Sequence, residues 1–101
     1  NNIFIPEPSL NDWRSIIMSE IARFYGFVVF MDNNFGGSPN VFIDYEEDDI
    51  KGHYDLVKGD VTDVEFPDYL IRVIAEWIND HIQVLNAMWN EKMITKLPDW
   101  E

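Results

Sequence analysis

The sequence predicts an α+β domain: an antiparallel meander of three to four strands packed by one long C-terminal helix, with a further helix at the N-terminus. Three observations carry this. Between Pro67 and Lys92, about 26 residues and roughly 39 Å if helical throughout, apolar side chains recur at i, i+3, i+4 and i+7 with no internal glycine or proline. Ahead of that stretch lie runs rich in β-branched and aromatic residues, at Phe24–Met31, Asn40–Glu46 and Ile50–Leu56. Between the runs stand clusters of turn formers, the signature of hairpins.

Taken in order, residues 1–8 contain two prolines and read as an extended lead. Ser9 opens a helix running to about Ala22, with Asp12 completing an approximate capping box. Leu10, Trp13, Ile17 and Ile21 repeat at helical spacing, so this arm is expected to dock on the main body. From Phe24 to Met31 the run is continuously aromatic and β-branched, which suits an interior strand covered on both faces. Asp32 to Pro39 is dense in turn formers and closes a hairpin. The next strand, Asn40 to Glu46, alternates Val41, Ile43 and Tyr45 with Phe42, Asp44 and Glu46, as a half-buried strand does. Glu47-Asp48-Asp49 form a charged turn. Ile50, Gly52, Tyr54 and Leu56 then alternate with Lys51, His53 and Asp55 in another antiparallel strand. Lys58-Gly59-Asp60 turns the chain, and Val61 to Val64 adds a short edge strand.

Pro67 suits the first position of the long helix, and Asp68 complements the positive end of its dipole. The helix ends at Lys92 without a C-cap glycine. In the tail, Ile94, Leu97 and Trp100 are apolar enough to pack back on the core. The apolar arc of the helix is about 180° wide, where roughly 100° suffices for one packing face. Ile71, Ile78, Ile82 and Trp89 form its extra edge, a seam for a second helix, from this chain's N-terminus, from a second copy, or from a protein partner.

A chain of 101 residues is one domain, and 47% hydrophobic with 15% aromatic residues supplies its core. The absence of cysteine excludes disulfides, thiolate metal sites and a cysteine nucleophile, and fits a reducing cytoplasm. No apolar run is long enough to span a membrane, and Asn1 to Pro6 lacks the character of a signal peptide. Seven basic against 19 acidic residues give a net charge of −12. That charge opposes direct binding of nucleic acid or anionic membranes, and either solubilises the surface, attracts a basic partner or mimics nucleic acid.

The strand Arg23-Phe24-Tyr25-Gly26-Phe27-Val28-Val29-Phe30-Met31 begins a resemblance to a family. It continues through the loop end Pro39-Asn40-Val41-Phe42-Ile43, the turn Gly59-Asp60-Val61 and the helix start Phe66-Pro67, to Glu76-Trp77, His81, Leu85 and Trp89 on the helix. This ordered set resembles a short prokaryotic family known as domain of unknown function four-one-six-zero. The resemblance covers about Arg23 to Pro98 and leaves residues 1–22 as an N-terminal extension. It implies a protein of a kind often encoded beside a second small protein, in a pair resembling a toxin–antitoxin module. Asn40 and Phe42 stand where the family carries the histidines of a Pro-His-Phe-His-Val piece. Val84 and Met88 stand where it usually carries Glu and Asn. A ligand or acid–base role of those groups therefore has no counterpart here.

The residues themselves offer few chemical candidates. His81 lies on the apolar face of the helix, where it is either a structural histidine bonded to a sheet backbone group or a general base in a pocket with Tyr54 or Asp55. His53 lies on the polar face of its strand, so joining it to His81 in a metal site requires two faces to meet. Asp32 to Gly37 imitates the start of a calcium loop. It lacks an oxygen ligand at Gly36 and a bidentate Glu at Ile43, and strands flank it. Asp44, Glu46, Glu47, Asp48 and Asp49 are either a solvated hairpin tip or a weak divalent site. No phosphate-binding loop, nucleophile elbow or zinc-protease motif occurs, and no cofactor or metal is expected. The expected function is a non-catalytic interaction protein of a toxin–antitoxin-like pair. The rival reading is a small toxin-type enzyme acting on RNA through His81, His53 and Tyr54.

Overall fold

The computed structural model describes residues 18–61 and 66–98. Five antiparallel strands follow one another in the sheet in chain order, β1 Met18–Phe24, β2 Phe27–Asp32, β3 Asn40–Tyr45, β4 Ile50–Asp55 and β5 Asp60–Val61. Among the described residues one helix, α1 Asp68–Glu91, packs against one face. The predicted meander and its long helix are thus present, with one strand more than expected.

The added strand comes from the end of the predicted N-terminal helix. Met18 to Ala22 are strand, not helix, while residues 9–17 lie outside the described residues. The pairing of β1 with β2 slips between Glu20 and Ala22, leaving Ile21 as a bulge. Ile21 and Ala22 are consequently both fully buried. An extra residue breaks the alternation by which a strand is recognised, so this segment imitates helical spacing.

The predicted unbroken strand Phe24–Met31 is likewise cut. Tyr25 (φ 48°) and Gly26 (φ 86°) both take the left-handed conformation, forming the two-residue turn that joins Phe24 to its partner Phe27. A Cβ on Gly26 would lie 3.2 Å from Cε1 of Tyr45, so close approach as well as φ requires glycine there. Beyond the turn, β2 is interior and buried on both faces from Phe27 to Met31, as expected. The predicted half-buried β3 is buried on both faces too, with Phe42 8% and Asp44 3% exposed.

Alternation and register sort the sheet into two faces. Phe27, Val29, Met31, Val41, Ile43 and Tyr54 meet Leu70, Ile74, Trp77, Ile78, Leu85, Met88 and Trp89 of the helix in the main core. Met18, Val28, Phe30 and Phe42 form a separate buried cluster on the outer face. Trp77 stacks on Phe24 at 5.0 Å, and Trp89 meets the β2–β3 loop edge-on through Phe35 at 5.6 Å, so the helix runs the length of the sheet.

Pro67 caps the helix start through its carbonyl, which accepts from the amides of Leu70 and Ile71. At the other end Lys92 adopts the left-handed conformation usually given to glycine, and the Met93 amide reaches back to the Met88 carbonyl at 3.0 Å. Ile94 and Leu97 pack on the core, as the tail was expected to, and Trp100 lies outside the described residues. The Leu97 amide donates to the carbonyl of the bulged Ile21 at 2.7 Å, tying the tail to the edge of β1. Of the predicted edge strand Val61–Val64, Val61 belongs to β5 and residues 62–64 lie outside the described residues.

Candidate functional site

His81, His53 and Tyr54 are not brought together. His81 stands on the helix face of the sheet, its ring stacked on Trp77 at 4.5 Å. With its proton on Nδ1 it donates to the Trp77 carbonyl at 2.8 Å, so its partner is its own helix and not the sheet backbone. His53 is opposite Phe42 in the β3–β4 register and meets that ring edge-on at 5.1 Å, on the outer face. The adjacent Tyr54 points the other way, into the main core. Its hydroxyl donates to the Gly59 carbonyl at 3.0 Å. Burial, with the Asp60 carboxylate adding to it, pushes that hydroxyl above its ordinary pKa, which suits a turn-closing donor rather than a base.

A cleft of about 300 Å³ beside the β2–β3 loop is lined by Asp32, Gly36, Gly37, Ser38, Asn40, His53 and Asp55. Both its carboxylates build turns. Asp32 Oδ1 accepts from the Asn34 amide at 2.8 Å. Asp55 Oδ1 accepts from the amides of Lys58 and Val57, each at 2.8 Å. The Lys58 amide above all, with the Val57 amide, holds the Asp55 carboxyl below its usual range against a desolvation cost. Among the described residues no group of His, Asp or Glu side chains gathers in a way that could hold a metal ion.

The acidic stretch divides. Asp44 is buried in the outer face, opposite Val28 on one side and Lys51 on the other. Glu46, Glu47, Asp48 and Asp49 are exposed at the tip of the β3–β4 hairpin. This tip lies against the β1–β2 turn: the Glu46 amide donates to the Gly26 carbonyl at 3.1 Å, and Arg23 Nη1 is 3.7 Å from Glu46. Lys51 pairs with Asp49. The Tyr45 hydroxyl donates to Glu47 at 3.0 Å. That bond first, then desolvation and the charges of Glu47, Asp48 and Tyr69, push the Tyr45 hydroxyl above its ordinary pKa. Tyr25 and Tyr69, 60% and 56% exposed, add aromatic surface to this end. The two tyrosines were not singled out by sequence. Tyr25 had a signal, an aromatic directly before a turn glycine; Tyr69 had none.

The seam predicted on the helix is narrower than its wheel implies. Ile78 and Trp89 are core residues, 2% and 6% exposed, while Ile71 and Ile82 are half-buried and pack against the same core. Val84, 36% exposed, lies on the opposite flank of the helix, about 200° round from Ile82, and adds nothing to that seam. The wheel underestimates the sheet: five strands together with Phe35 fill an arc wider than one packing stripe. Among the described residues no helix is long and apolar enough to cross a membrane.

The chain matches no protein-family model, no curated protein and no solved structure.

Proposed function

We propose that this chain is a non-catalytic interaction protein, one component of a two-protein pair of toxin–antitoxin type, and that it engages a basic partner chain. The observation that carries the reading is the acidic and aromatic end of the sheet. Four consecutive carboxylates at Glu46–Asp49 stand against the β1–β2 turn that carries exposed Tyr25, in a chain of net charge −12. Carboxylates steer a cationic surface into place, and tyrosine faces receive arginine guanidinium groups by cation–π stacking. The resemblance to domain of unknown function four-one-six-zero supports the pairing with a second small protein. The rival RNA-directed enzyme draws no support from His53 and His81, which stand on opposite faces of the sheet.

The test is co-expression with the neighbouring gene product, followed by binding kinetics at increasing salt. The complex is expected to associate more slowly as salt rises. A triple variant Glu46→Gln, Glu47→Gln, Asp48→Asn is expected to slow association by on the order of tenfold. A complex indifferent to both would discard this surface. Growth arrest on induction that vanishes in a folded His81→Ala variant would replace the reading with the enzyme.

A further inference from the structure

β1 lies at the edge of the sheet, and no described strand pairs with its outer side. What meets that side is the C-terminal tail. The Leu97 amide takes the Ile21 carbonyl at 2.7 Å, and Lys96 Nζ lies 3.0 Å from the Glu20 carboxylate. Ile94 and Leu97, both half-buried, hold this strap against the core.

An edge strand is a template for a further strand, and the face each side chain takes decides what can pair with it. Ser19 stands opposite Met31 of the main core, which also contains Ile21, Ala22 and Phe24. Glu20 stands opposite Phe30 and Arg23 opposite Val28, both in the outer cluster. Read toward the bulge from either end, the faces run inner, outer, inner: Ser19, Glu20, Ile21 from one side and Phe24, Arg23, Ala22 from the other. In a regular strand neighbours alternate, so no residue can stand directly opposite its own neighbour in a second copy. The bulge at Ile21 lifts that restriction. A second copy laid antiparallel on this edge can set Ile21 against Ala22, and every opposed pair then shares a face. The same register sets Glu20 of each copy opposite Arg23 of the other, twice over by the two-fold symmetry. A shift of one residue in either direction opposes an inner side chain to an outer one.

We infer that the outer edge of β1 is a self-pairing interface, which takes a second copy of this chain antiparallel about the Ile21–Ala22 step, and that the C-terminal tail is the strap that closes it. The strap occupies the Ile21 carbonyl and the Glu20 carboxylate at the centre of that register, so tail and second copy exclude each other. The inference does not rest on a partner at the acidic end.

The chain has no cysteine, so disulfide trapping can report the register in the full-length protein. Chains carrying Glu20→Cys are mixed with chains carrying Arg23→Cys under mild oxidation. A disulfide-linked dimer of one of each is expected to form at least about tenfold faster than a dimer of either chain alone, because like positions lie three residues apart across the two-fold, beyond disulfide reach. Adding Ile94→Ser and Leu97→Pro to both chains removes the strap's anchors and its amide donor. The mixed disulfide is then expected to form at least about tenfold faster again, since opening the strap is no longer required. The mixture with the intact tail decides the register even if the released variant does not fold. Equal rates in mixed and separate solutions, or no disulfide dimer in any, would overturn the interface. A mixed rate that a folded released variant leaves unchanged would overturn the strap.

Discussion

The two faces of the sheet are both buried, but they are buried differently. On the helix face Trp77, fully buried, lies between the rings of Phe24 and His81, and a continuous cluster extends from Phe66 to Trp89. Its cost is the Trp77 indole N–H, which finds no acceptor among the described residues. On the outer face four apolar side chains form a small patch, with Asp44 and His53 in the same rows. The first face resembles the core of an independent domain. The second is a small separate cluster beside the buried carboxylate of Asp44. Contiguous apolar area, not burial alone, therefore separates the face that holds the fold from the face that depends on it.

The strongest way to test this contrast is truncation at the centre of each face. Trp77→Ala is expected to lower unfolding free energy by about 3–5 kcal/mol in urea titrations. Trp77→Phe should cost clearly less, because it removes an unsatisfied donor along with the lost volume. Equal costs for the two would mean that the indole N–H is satisfied. On the outer face, Phe42→Ala is expected to cost about 2–3 kcal/mol, less than Trp77→Ala. A loss below about 1 kcal/mol would show that this face is wet, and the comparison would fail.

The smallest effect sharpens the rim of the outer face. Glu20, opposite Phe30 in the register, accepts two hydrogen bonds from Arg23 at 2.9 and 3.1 Å, and Lys96 of the tail lies 3.0 Å away. Burial raises its pKa, but the Arg23 and Lys96 bonds and charges outweigh that and leave it below the ordinary value of 4.5. A carboxylate lowered in the folded state stabilises it above the unfolded pKa, and the contribution vanishes as pH falls through the folded pKa. Glu20→Gln is thus expected to cost about 0.5–1 kcal/mol at neutral pH, discounted for its exposure. The difference between variant and parent should close in acid. A difference that persists in acid would point to packing of the Glu20 stem rather than its charge.

Much of this architecture is legible before any coordinates. The order of hairpins, the turn at Asp32–Pro39, the strand Ile50–Asp55 and the helix Asp68–Glu91 follow from local spacing and local turn chemistry. Little of the candidate surface is. The acidic tip is visible as four consecutive carboxylates, but its company of Tyr25 depends on which hairpin lies beside which.

What the sequence by itself determined is the set of features written in periods of two and 3.6 residues: the meander, the long helix and the face that helix buries. Tertiary structure alone decided three things. The bulge at Ile21 turned the end of a helical pattern into an edge strand. The width of the sheet drew Ile78 and Trp89 into the core. The second face of β2 and β3 became buried, so that Phe42 and Asp44 left the solvent side their alternation assigns them. The reason is common to all three. A local period reports which side chains share a face, whereas what covers that face is set by residues distant in the chain, and no local period encodes them.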